Sequence, residues 1–177
     1  MRQFDLSKVE TPTEFNRLVS GGYVIQIKSV KDVTDKEYLE IEYDIYEGEF
    51  KGYYQKLYTA KNFWGGKTFK SYSEKGLPFF KAFIEALEDS NRAWTWNWNE
   101  NILRGCIVGV IMGEEEYRAN DNTIKTRLTI TKFCSVEKIR QGEFVVPALK
   151  KIVQSSSIPA GLPPSGSLRP VNEQLPF

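Results

Sequence analysis

Residues 51–73, KGYYQKLYTAKNFWGGKTFKSYS, hold five lysines, seven aromatic side chains and no acidic residue. The lysines are Lys51, Lys56, Lys61, Lys67 and Lys70; the rings are Tyr53, Tyr54, Tyr58, Phe63, Trp64, Phe69 and Tyr72. Cations interleaved with rings suit a single-stranded polynucleotide. Ammonium groups track the phosphates, and a ring stacked on an unpaired base contributes roughly 1–3 kcal/mol. Every base has a π-face, so such a track tolerates sequence. The chain carries a net charge of only +1 over 177 residues, so this segregation of charge is local.

Other chemistry is thinner. There is no histidine, which removes Ser-His-Asp and Cys-His catalysis, histidine general bases and most catalytic zinc sites. Cys106 and Cys134 stand outside any CxxC spacing. They form neither a zinc site nor a disulfide framework, and they fit a reducing compartment. The stretch GGKT at Gly65–Thr68 resembles the end of a phosphate-binding loop. Lys61 occupies the position where that pattern needs glycine, so the stretch reads as a turn carrying Lys67 to a phosphate. The run Glu114–Glu116 reads as a solvated strand end rather than a metal site. No enzyme activity, cofactor or metal is expected. No apolar run reaches the roughly 18 residues of a membrane span, and MRQFDLSKVETPTEF lacks the apolar core of a signal peptide. A cytoplasmic protein is the expectation.

The elements that must position these residues follow from periodicity. TPTEFNRLV reads as a short helix capped by Thr11 or Thr13. GGYVIQIKSV opens a strand. In EYLEIEYDIY, Leu39, Ile41, Tyr43 and Ile45 share one face, while Tyr38, Glu40, Glu42 and Asp44 share the other. A hairpin loop at EGE returns the chain as a third strand, FKGYYQKLYT. That register sets Leu39 opposite Leu57 and Tyr43 opposite Tyr53 inside, with Glu40 opposite Lys56 and Tyr38 opposite Tyr58 outside. Tyr54, Tyr58 and Trp64 then face water, Tyr53 packs inward, and Phe63 and Phe69 fit either environment. A polar loop leads to a helix in GLPFFKAFIEALEDSN, with Phe79, Phe80, Phe83, Ile84 and Leu87 as its apolar stripe. The alternating Trp94, Trp96 and Trp98 read as packing beneath it in preference to stacking. LRGCIVGVIMGEEEY is a central or bent fourth strand. TIKTRLTITKF is a fifth, with Leu128 and Ile130 inward and Lys125 and Arg127 outward.

Strand, strand, strand, helix, strand, strand predicts a mainly β chain with an OB-fold, a five-stranded Greek-key barrel with a helix between strands 3 and 4. Closing strand 5 on strand 3 would set Lys125 and Arg127 beside Tyr54, Lys56 and Tyr58. The acids of strand 2 push the expected groove toward strands 3 and 5 and the following loop. After residue 153 the composition changes: QSSSIPAGLPPSGSLRP holds four of the eight prolines. The expected organisation is a domain over 1–153, a flexible linker over 154–171 and a tip over 172–177.

An OB-like domain, a Pro/Ser/Gly linker and the tip NEQLPF together resemble bacterial and phage single-stranded DNA-binding proteins. YDIYEGEFKGYY, LPFFKAFIEALEDSN and LRGCIVGVIMGEEEY are similar to those of phages and mobile elements in Gram-positive bacteria. The resemblance implies protection of single-stranded DNA during replication, recombination or repair, and a homo-oligomer. It also implies that Glu173, Leu175, Pro176 and Phe177 dock replication and recombination proteins. One departure is visible: the family's tip usually carries several aspartates, whereas this one has Glu173 and the terminal carboxylate. The competing expectation is an OB-like module that binds protein and no nucleic acid.

Overall fold

The computed structural model describes residues 16–152. The expectations for Thr11, Thr13, the linker and the tip residues Glu173, Leu175, Pro176 and Phe177 lie outside the described residues. The strands are β1 (Gly21–Val33), β2 (Tyr38–Ile45), β3 (Lys67–Ser71), β4 (Ile107–Arg118) and β5 (Ile124–Cys134). The helices are α1 (Tyr53–Lys61), α2 (Leu77–Ser90) and α3 (Val136–Arg140), with short 3-10 turns at Thr34–Lys36 and Glu100–Leu103.

The strands form one five-stranded sheet in the order β3-β2-β1-β4-β5, and every neighbouring pair is antiparallel. β1 serves both halves: residues 21–26 pair with β4, and residues 25–33 pair with β2. A register shift between Ile27 and Ser29 bends it between those duties. The predicted alternation of β2 holds, with Leu39, Ile41, Tyr43 and Ile45 all buried. They meet the stripe Phe80, Phe83, Ile84 and Leu87 of α2, spaced three and four apart as one helical face requires. Pro78 sits in the first turn of α2, where its missing N–H costs nothing. Phe79 was expected in that stripe but is 73% exposed, because it falls about a quarter of a turn off the centre of the face. Val108, Val110 and Met112 of β4 complete the core. β4 takes partners on both sides, which explains its apolar middle.

The third strand is corrected. Residues 53–61 are a helix, and the strand beside β2 is Lys67–Ser71. Tyr38 opposes Ser71, Leu39 opposes Lys70, Glu40 opposes Phe69 and Glu42 opposes Lys67. The expected pairs Leu39–Leu57, Tyr43–Tyr53, Glu40–Lys56 and Tyr38–Tyr58 therefore do not form. The physical reason is Asp44. Instead of facing water it is buried, and its carboxylate accepts from the N–H groups of Ile45, Tyr54 and Gln55 at 2.8, 2.8 and 3.1 Å. Two of those donors belong to the first turn of α1, whose N–H groups have no intrahelical acceptor. Gly52, at φ 70°, turns the chain into that helix through the left-handed region.

β3 and β5 are the two edges of the sheet, and no ladder joins them among the described residues. The architecture present is an open antiparallel sheet with helices between strands, without the barrel closure expected between strands 3 and 5. The edges approach at one point, where Lys70 Nζ lies 4.1 Å from the Phe133 ring centre. The segment after β5 carries α3 and then a strap, neither legible in the sequence pattern. Phe144 lies against Gly22, where any side chain would collide with its ring. Lys150 bridges to Glu115 along the margin of β4 that β1 leaves free. No helix among the described residues is long and apolar enough to cross a membrane.

Candidate nucleic-acid interface

The solvent-reaching rings of residues 51–73 divide into two groups, one on α1 and the chain that leaves it and one on β3. The first is built by α1 and the chain that leaves it. Tyr58 is 44% exposed and meets Trp64 edge-on at 6.2 Å. Trp64 is half-buried, and its Nε1 donates to Gly66 O at 3.0 Å, which fixes the indole plane. Asn62, in the left-handed region, ends α1 by donating its N–H to Tyr58 O. Lys56 and Lys61 are exposed on α1, and Lys51 lies just ahead of it with its Nζ 6.0 Å from the Tyr46 ring.

The second group lies on the outer face of the β2–β3 pair. Phe69 is 56% exposed and meets Tyr38 edge-on at 5.5 Å. Lys67 shares that face but is neutralised, with its Nζ 2.5 Å from Glu40 and 3.6 Å from Glu42. The Glu40 hydrogen bond pushes the Lys67 ammonium up. Lys67 offsets one of the two carboxylates, so this cluster beside the rings keeps one net negative charge.

Five predicted residues are placed elsewhere. Tyr54 is buried, edge-on to Tyr43 at 5.4 Å, and is a core residue rather than a stacking platform. Its helical position puts it against β2, where a strand would have turned it outward. Lys70 points to the core side, over the rings of Phe133 and Phe83, and burial pushes its ammonium down to about 8. The half-buried Tyr72 donates its hydroxyl to Asp32 Oδ1 at 2.7 Å and packs on Phe80. That hydrogen bond pushes its phenol up. Lys125 pairs with Asp121 at 3.4 Å, and Arg127 pairs with Glu115 at 2.7 Å over the Tyr117 ring. Both stand on β5, the far edge of the sheet, and among the described residues no hydrogen bond, ion pair or ring contact joins them to Lys56, Tyr58 or Trp64.

The tryptophan loop divides. Trp94 and Trp96 pack as expected; Trp94 Nε1 donates to Ile102 O at 3.1 Å. Trp98 does not. It is 71% exposed at φ 62° and stacks on Phe80 with an interplanar angle of 18° at 6.2 Å. The signal was the flanking asparagines: Asn99 N–H donates to Asn97 Oδ1 and Asn101 N–H to Asn99 Oδ1, successive Asx turns about the tryptophan.

Of the acidic run, Glu115 is taken up by Arg127, and Glu116 accepts from Ile152 N–H at 3.0 Å. Cys106 and Cys134 are buried free thiols, and burial pushes both up. No group of residues able to hold a metal occurs among the described residues. No protein-family model matches the chain, and no curated protein matches it.

Proposed function

We propose that this chain is a non-enzymatic, sequence-tolerant binder of single-stranded DNA. One observation carries the reading: two ring pairs, Tyr58 with Trp64 and Phe69 with Tyr38, each combine an exposed ring with a half-buried one, and the segment that supplies three of the four also holds the exposed Lys51, Lys56 and Lys61. Exposed rings supply sequence-independent stacking, and Lys51, Lys56 and Lys61, which make no ion pair among the described residues, are available to phosphates.

The strand order also supports an OB-like scaffold. A sheet ordered β3-β2-β1-β4-β5, with α2 between β3 and β4, has an OB barrel's sequence of antiparallel neighbours, opened at the β3–β5 seam. The choice of DNA, a role in replication or recombination, recruitment through the Leu175–Phe177 tip, a homo-oligomeric state and a cytoplasmic setting belong to the same proposal. They rest on the sequence resemblance.

Oligo-dT titration followed by tryptophan fluorescence tests the reading. Quenching of Trp64 is expected. With about three lysines on phosphates, log affinity should fall against log salt with a slope near −2. Absence of retention at low salt would remove the proposal, as would unchanged retention in a Tyr58→Ala/Phe69→Ala double variant.

A further inference from the structure

Two clefts meet at the tryptophan loop, beside Phe80. The smaller, about 180 Å³, is walled by four rings: Tyr72, Phe80, Trp96 and Trp98. Two carboxylates, Asp32 and Glu100, and the core residue Leu39 complete its lining. The larger, about 590 Å³, shares Phe80, Trp96 and Trp98 and continues over Leu77, Pro78 and Ile84, with Glu74 and Lys81 also in its lining and Lys81 paired to Glu85. Phe80 is the hinge of the arrangement: it stacks on Trp98 and lies edge-on to Trp96 and Tyr72.

Three observations give this place a chemistry. First, Trp98 holds a positive φ and an exposed indole, a conformation that a bulky residue adopts at a cost in free energy. Second, the carboxylates lack a cation. Asp32 accepts from the hydroxyls of Tyr72 and Thr34, Glu100 accepts from the Asn101 amide, and neither makes an ion pair among the described residues. Third, the Trp96 Nε1–H is buried without an acceptor. Ring faces carry negative charge density, and the two carboxylates add to it. Such a cleft repels phosphate and attracts an organic cation. A free cation would fill the smaller cleft and leave the apolar one beside it empty.

We infer that the smaller cleft takes the arginine or lysine side chain of a partner protein's peptide, and that the larger takes an adjacent aliphatic residue. The Trp96 Nε1–H is sealed in this arrangement, and a backbone carbonyl of that peptide would reach it only if the indole turns as the cleft fills. This site is distinct from the β3 rings and does not depend on the nucleic-acid reading.

The test uses the full chain with acetyl-Leu-Arg-Leu-amide and its citrulline analogue, in which the guanidinium is replaced by a neutral isostere. Tryptophan fluorescence and calorimetry follow binding. The arginine peptide should bind saturably, and the citrulline peptide at least about tenfold more weakly. Trp98→Ala should cost about tenfold in peptide affinity, with the thermal midpoint and oligo-dT retention unchanged. Glu100→Gln should act likewise, and it keeps the test open if Trp98→Ala disturbs the loop. Equal binding of the two peptides, no saturable binding, or displacement of the peptide by oligo-dT would each overturn the inference. A chain that binds the arginine peptide but not oligo-dT would sink the nucleic-acid proposal alone.

Discussion

Asp44 on β2 caps α1 through space: its Oδ1 accepts from the Tyr54 N–H at 2.8 Å, ten residues further along the chain. With Gln55 N–H on Oδ2, one carboxylate holds the start of the helix that presents Tyr58, Lys56 and Lys61. A negative charge there also complements the positive end of the helix dipole. Removing it strands buried donors. Asp44→Ala should therefore destabilise the protein by about 3 kcal/mol, read as a shift of the urea midpoint. A loss below about 0.5 kcal/mol would show that the cap contributes little.

Lys70 makes stability depend on pH. Its ammonium titrates near 10.5 when unfolded and at about 8 in the fold, because burial disfavours the charge. Between those values the unfolded chain binds a proton that the folded chain lacks, so stability rises with pH from about 8 to about 10.5. Lys70→Met should remove that rise and gain up to about 3 kcal/mol at neutral pH. The faces of Phe133 and Phe83 favour the ammonium and reduce the gain. Thermal melts of both proteins across this range check the slope. Oligo-dT retention should be the same in both.

The exposed rings should separate from the core by their signature. Phe69→Ala and Tyr58→Ala should each weaken oligo-dT binding by about 1–3 kcal/mol. Phe69→Ala should leave stability within about 0.5 kcal/mol. Tyr54→Ala should show the reverse weighting, since that ring is buried against Tyr43. Parallel titrations and urea melts would tell the two classes apart.

Charge should divide in the same way. Removing Lys56 and Lys61 together should flatten the salt slope by about 1.4. Arg127→Ala should not change it, because Glu115 already neutralises that guanidinium. A larger effect from Arg127 would move the track to β5.

Deleting Leu175–Phe177 should spare oligo-dT binding and abolish capture of replication partners in a pull-down. Equal loss of both would contradict a separate role for the tip.

How much of this was readable from the residues depends on where each decision is made. The β2 alternation and the α2 stripe were legible because burial on one face writes a period into the chain. Residues 53–61 were not. Tyr54, Lys56 and Tyr58 fit a strand's period of two, while Tyr54, Leu57 and Tyr58 fit a helix equally well. The tie is broken by a carboxylate ten residues away, which no local window weighs. The site followed the same rule. Tyr58 is exposed as expected, Trp64 is only half so, and Phe69, which fitted either environment, is exposed on β3. Tyr54 turned inward because a helix replaces the expected strand, and Lys70 and Tyr72, expected in a loop, are placed by β3 and the chain just after it. Trp98 was hidden by a general preference of tryptophan for burial that its asparagine neighbours override.

Ile25 and Gln26 are the two positions of β1 paired to β2 on one side and to β4 on the other. They act as a splint between the halves of the sheet. Neither half can peel away without breaking its ladder to that splint, so melting should proceed in a single cooperative step, with the slowest-exchanging amides at these residues.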